Sequence, residues 1–175
     1  STAVIIHLGA KPVFVDVLPD QNIDPDKIEA AITEKTKAIM PVHLTGRVCN
    51  MDPIMQIANK YGLTVVEDAA QAIGSKYKGK PSGSIGDVGC FSTHPLKNLN
   101  ACGDGGFLTT NDEKIYAKAN SLRNHGIADR DSVDSFGYVS RMDNLQAAIL
   151  NYRLHKLDEI IEKRRNNAQL YFANI

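Results

Sequence analysis

At 175 residues, 43% hydrophobic and 23% charged, the chain is long enough for one domain with a core of its own. Twenty basic residues balance twenty acidic ones and no run of Lys or Arg stands out, which argues against a nucleic-acid-binding face. The apolar runs are too short to span a bilayer. The three cysteines, Cys49, Cys90 and Cys102, have no CxxC spacing, so they suggest neither a disulfide framework nor a zinc site, and they point to a reducing, cytoplasmic setting.

In chain order, STAVIIHLGA reads as the end of a helix stopped by Gly9. PVFVDV, Pro12 to Val17, reads as a short valine-rich strand. A helix follows, with Asp24 as its N-cap and Pro25 in its first position. Thr36 to Val42 is the next expected strand. Met51 to Gly62 repeats the Asp-Pro helix start and ends on glycine, and Leu63 to Asp68 is a strand closing on two acids. Asp87 to Thr93 and Gly105 to Asn111 are further strands, Asp112 to Gly126 a helix, and Asn144 to Tyr171 one long amphipathic helix. β-Branched runs alternating with helices predict an α/β fold, three layers around a mainly parallel sheet. Residues 1–126 form the expected core, and 127–175 a connecting segment and long helix leading out of it. The chain reads as the incomplete large domain of a longer enzyme.

In a parallel sheet, ligands gather beyond the carboxyl ends of the strands, so the polar residues there are the candidates for chemistry. After one strand come Asp68 and, three residues on, Gln71. A carboxylate there either caps the following turn or awaits a positive partner. After another strand come Ser92 and, five residues on, Lys97, within CFSTHPLKNLNACGDGG. The glycines Gly103, Gly105 and Gly106 allow close backbone approach. A lysine so placed is either a solvated loop charge or an amine poised to attack a carbonyl. An acid, a hydroxyl, a lysine and a glycine-rich turn are together the parts that a pyridoxal phosphate site needs.

The blocks VVEDAAQAIGS and GDVGCFSTHPLKNLNACGDGGFLTTNDEKIYAKANSLRNHG, with AKPVFVDV upstream and SRMDNLQAAIL downstream, resemble the DegT/DnrJ/EryC1/StrS sugar aminotransferases over nearly the whole chain. The resemblance implies an aspartate aminotransferase-like large domain that binds pyridoxal 5'-phosphate. It implies that Lys97 holds the cofactor covalently and moves the substrate proton. Asp68 would pair with the ring nitrogen, Gln71 would lie near the ring hydroxyl and Ser92 would contact the phosphate. It further implies an amino donor such as glutamate, a nucleotide-linked ketosugar as acceptor and a homodimer. Relatives with histidine in place of this lysine are dehydratases, and Lys97 favours transamination. His43 after its strand either lines the pocket or is a satisfied structural histidine.

One position departs from the family's pattern. Where relatives carry asparagine in G-x-N-x-R, this chain has GYVSR with Val139, which cannot hydrogen-bond the cofactor phosphate of a neighbouring subunit. Val139 keeps a catalytically incomplete fragment open as an alternative. A nucleotide-binding module without covalent chemistry is a further alternative, but it predicts a GxGxxG turn after the first strand, and GDGG has neither the place nor the spacing.

Overall fold

The computed structural model describes residues 1–129 and 132–175. The helices are α1 (Thr2–His7), α2 (Ile28–Ala31, entered through a 3-10 turn at Pro25–Lys27), α3 (Met51–Tyr61), α4 (Glu113–Leu122), α5 (Asn144–Leu154) and α6 (Leu157–Asn174). The strands are β1 (Ala38–Ile39), β2 (Thr64–Asp68), β3 (Lys76–Tyr77), β4 (Lys80–Pro81), β5 (Val88–Ser92), β6 (Gly106–Thr109), β7 (Ile127–Asp129) and β8 (Ser132–Val133).

The main sheet runs β1-β2-β5-β6. β1/β2 and β2/β5 are parallel, with Val66 opposite Val88 and Asp68 opposite Cys90. β6 returns antiparallel from Ser92↔Gly106 to Gly89↔Thr109. The β1 ladder continues past its last residue although Pro41 has no N–H. Asp68 N–H donates to the Pro41 carbonyl (2.9 Å), and His43 N–H donates to the Asp68 carbonyl (3.0 Å).

Two expected elements take a different form. Pro12 to Val17 is not a strand. Only Val17 forms a bridge, antiparallel to Ile23, and Val13 and Phe14 lie largely exposed. An extended segment needs a neighbouring ladder for its N–H and C=O groups, and no strand of the sheet pairs with this one. The helix expected over Asn144 to Tyr171 is two helices, broken at His155 and Lys156.

Local chemistry explains the elements that form as expected. Asp24 accepts from the Asp26 N–H (3.0 Å) and Asp112 from those of Lys114 (2.7 Å) and Ile115 (3.1 Å), each capping the helix that it precedes. Gly62 ends α3 with φ +63°, and Leu63 N–H reaches back to the Ala58 carbonyl (2.9 Å). α3 buries Met51, Ile54 and Ala58 along one stripe, against Ile28, Ile39 and Val65. A second cluster holds Leu99, Ala101, Leu150 and Leu157, with Ile73, Met142 and Ile161 packed against it.

Alternation along the strands gives the sheet two unlike faces. Partners in a parallel ladder point the same way, so Asp68, Cys90 and Ser92 share one face and Glu67 and Gly89 the other. Gly89 is required there by contact. A Cβ on it would lie 2.3 Å from the Gly83 carbonyl oxygen, 2.4 Å from the Gly83 Cα and 2.6 Å from Thr109 Oγ1. Because backbone atoms cannot yield as a side chain can, Gly89→Ala is expected to destabilise the fold by about 1–3 kcal/mol. The fall should read as a thermal midpoint lowered by about 2–4 °C for each kcal/mol.

Candidate active site

The carboxyl ends of β2 and β5 deliver Asp68 and Ser92 to the same face of the sheet. Strand spacing and rise put their backbones about 8 Å apart. Asp68 is mostly covered. It accepts from the Ala70 N–H (3.1 Å) and is hydrogen-bonded by the Ser1 hydroxyl. It therefore stabilises the turn after β2, but no helix follows. Ser92 Oγ accepts from the His94 N–H (3.3 Å), which leaves its own proton free to donate outward.

Gln71 and Lys97 meet in one cleft of about 470 Å³, bordered by Thr45, Ala70, Asn98 and the α6 residues Arg164 and Arg165. Asp68 and Ser92 do not line this cleft. Asp68 is tied to it through Ala70, whose N–H it holds. Gln71 is oriented by Thr45, whose N–H donates to Gln71 Oε1 (2.7 Å), so the amide presents its NH₂ group as the free end. Lys97 is partly buried, in a loop whose neck is closed by Ala101 N–H to the Thr93 carbonyl (2.7 Å) and Thr93 N–H to the Gly105 carbonyl (2.9 Å). A Cβ on Gly106 would lie 2.6 Å from the Phe91 carbonyl oxygen, so glycine lets β6 start this close to β5.

His43 is a structural residue. It is fully buried, with Nδ1 accepting from the Cys49 N–H (3.3 Å) and Nε2 donating to Glu67 Oε2 (2.8 Å). Glu67, also fully buried, accepts in addition from the N–H groups of Gly83 (2.8 Å), Ile85 (2.7 Å) and Gly86 (2.6 Å). Burial pushes its pKa upward, but the bonds from His43, Gly86, Gly83 and Ile85 outweigh burial and hold the carboxyl below the usual range. Sequence reading treated Glu67 only as half of an acidic pair. The signal that separates the two acids is the period-2 pattern of β2, which puts Glu67 on the Val65 side, inward, and Asp68 on the other.

Neither Cys49 nor Cys90 is an activated thiol. Burial lifts Cys49 to about 11, and burial followed by the nearby Asp68 charge raises Cys90. Val139 is exposed and bridges Asn124.

The donor set fits a phosphorylated pyridine aldehyde. A carboxylate suits a cationic ring nitrogen, an amine suits the aldehyde, a free amide NH₂ suits the ring hydroxyl and an outward hydroxyl suits a phosphate oxygen. An α/β sheet with this set beyond its carboxyl ends is the arrangement of a vitamin B6-dependent large domain. The chain belongs to the DegT/DnrJ/EryC1/StrS aminotransferase family, whose model matches residues 1–175. It is 50% identical over 168 residues to the pleiotropic regulatory protein of Geobacillus stearothermophilus, covering 95% of this chain and 45% of that protein. It is 47% identical over 174 residues to the UDP-N-acetyl-3-dehydro-alpha-D-glucosamine 3-aminotransferase of Acidithiobacillus ferrooxidans, covering 98% of this chain and 47% of that enzyme. The structure of a Bacillus subtilis protein with its bound cofactor PMP superposes with a TM-score of 0.82 at 42% identity, covering 89% of this chain and 36% of that one. The chain thus spans about half the length of the curated relatives it matches. No helix among the described residues is long and apolar enough to cross a membrane.

Proposed function

We propose that the protein carrying this chain is a pyridoxal phosphate-dependent aminotransferase, moving an amino group from a donor such as glutamate to the keto group of a nucleotide-linked sugar. The observation that carries this reading is the meeting of Lys97 and the oriented Gln71 amide in one cleft, beside the strand ends that bear Asp68 and Ser92. The names of relatives that act on nucleotide-linked sugars support the substrate class. We further propose a homodimer working in the cytoplasm, where Cys49, Cys90 and Cys102 remain free thiols.

When bound, the cofactor supplies an electron-withdrawing ring to which an amino group can be passed. Lys97 Nζ would hold the cofactor through its aldehyde carbon and, once free, would carry a proton to and from the substrate carbon. Asp68 would keep the ring nitrogen protonated by its negative charge. The Gln71 NH₂ group would hold the ring hydroxyl, and the Ser92 hydroxyl would donate to the phosphate.

Val139 favours a second reading, a chain too incomplete to hold the cofactor alone. Reconstitution separates the two. On adding pyridoxal phosphate, a visible band should form, and borohydride should bleach it while fixing the cofactor to the peptide containing Lys97. In protein not treated with borohydride, glutamate should discharge the band, and a panel of UDP-, GDP- and dTDP-linked ketosugars should restore it. A label on any other lysine removes the proposed site. A band that appears only when this chain is joined to further sequence favours the second reading.

A further inference from the structure

The loop that carries Lys97 is held from outside by one face of α5. Gln146, Leu150 and Arg153 stand four and three residues apart, so they line a single stripe of the helix. Gln146 Oε1 accepts from the Cys102 N–H (2.8 Å). Leu150 is buried against Leu99 and Ala101. Arg153 Nη1 donates to the Asn100 carbonyl (2.9 Å) and also to the Asn100 side-chain oxygen. The other end of that side chain, Nδ2, donates to the Pro95 carbonyl (2.6 Å). Pro95 to Asn100 is therefore a closed six-residue loop with Lys97 inside it, and Arg153 grips the closing residue.

We infer that Arg153 is a positioning residue for Lys97, acting through Asn100 to set where the lysine amine stands relative to the cofactor. This rests on the function proposed above. The inference gives residues 127–175 a role beyond connection, since α5 supports the chemistry of a lysine 56 positions earlier in the chain. A fixed nucleophile gains its rate from being held near its target, and loosening the support costs rate more than affinity. Arg153 suits this task because one guanidinium can satisfy two acceptors on the same residue, which a lysine ammonium does with less geometric control.

The test is the kinetics of covalent attachment. Apoprotein is mixed rapidly with increasing pyridoxal phosphate, and the visible band and borohydride label are followed. The half-saturation reports docking and the plateau reports attachment by Lys97. Arg153→Leu should lower the plateau on the order of tenfold, with the half-saturation moving less than about twofold. Arg153→Lys should recover part of the plateau. Asn100→Ala, which keeps the carbonyl but opens the loop, should also lower it, and these two variants decide the matter if Arg153→Leu does not fold. A purely structural role would lower the melting temperature and leave the plateau at the wild-type value in every folded variant, and that result overturns the inference. A wild-type protein carrying this chain joined to further sequence that still acquires no label on Lys97 overturns the proposed function itself, and this inference with it. A labelled wild type with unchanged variants overturns only the inference.

Discussion

Glu67→Ala should be the most damaging single substitution for the fold. It strips the partner from four donors at once: the buried His43 ring and Gly83 N–H, and the part-buried N–H groups of Ile85 and Gly86. Removing one member of a buried, fully bonded pair costs about 3–5 kcal/mol, because the groups left behind stay dry and unpaired. Native stabilities are about 5–15 kcal/mol, so the variant should lose much of its denaturant resistance or fail to accumulate as folded protein. Glu67→Gln should not rescue it well, since its NH₂ group would face N–H donors where a carboxylate oxygen accepts them.

The same carboxylate sets a pH dependence whose sign is fixed. Its pKa in the folded protein lies below the ordinary value of 4.5. As the pH falls below that value, the unfolded chain takes up a proton that the folded chain refuses, and stability declines. The Glu67 contribution is thus fully present above pH 4.5 and disappears as the pH falls through the folded value. Denaturant midpoints measured down through this window should fall more steeply for wild type than for any folded Glu67→Gln protein. Equal slopes would show that Glu67 does not hold its charge on folding.

Glu67 also shows what a one-dimensional reading can and cannot see. The placing of Asp68 and Ser92 at strand ends, and of Gln71 and Lys97 just beyond them, was legible because the sequence pattern marks those strands. The helix starts at Asp24 and Asp112 were legible because a cap is a contact between near neighbours in sequence. Other features depend on partners far along the chain. Pro12 to Val17 has the composition of a strand, but a strand exists only where a neighbour completes its ladder. The break between α5 and α6 falls at His155 and Lys156, with neither glycine nor proline to announce it. His43 was balanced between a pocket role and a structural one, and the choice turned on a carboxylate 24 residues away. The grip of Arg153 on Asn100 spans 53 residues and leaves no mark in local pattern.

For activity, the largest effect should come from Lys97→Ala. In the proposed function the lysine would do two separable things: hold the cofactor covalently before the donor arrives, and carry a proton once it has been freed. An external amine can supply the second without the first. Turnover should therefore fall by about 10²–10⁴-fold, and the borohydride label should vanish. A small primary amine added at high concentration should restore part of the turnover, more for amines slim enough to enter the cleft beside Gln71. Asp68→Asn should behave differently. The label at Lys97 should still form, because the attaching amine is intact. Turnover should fall by about 10²–10³-fold, because an amide cannot hold the ring nitrogen's proton by charge, and no added amine should recover it. If amines rescue both variants alike, the roles of the two residues are not distinct. If Lys97→Ala turns over at the wild-type rate, the amine that performs the chemistry is not this one, and the cleft that it shares with Gln71 is not where the amino group is transferred.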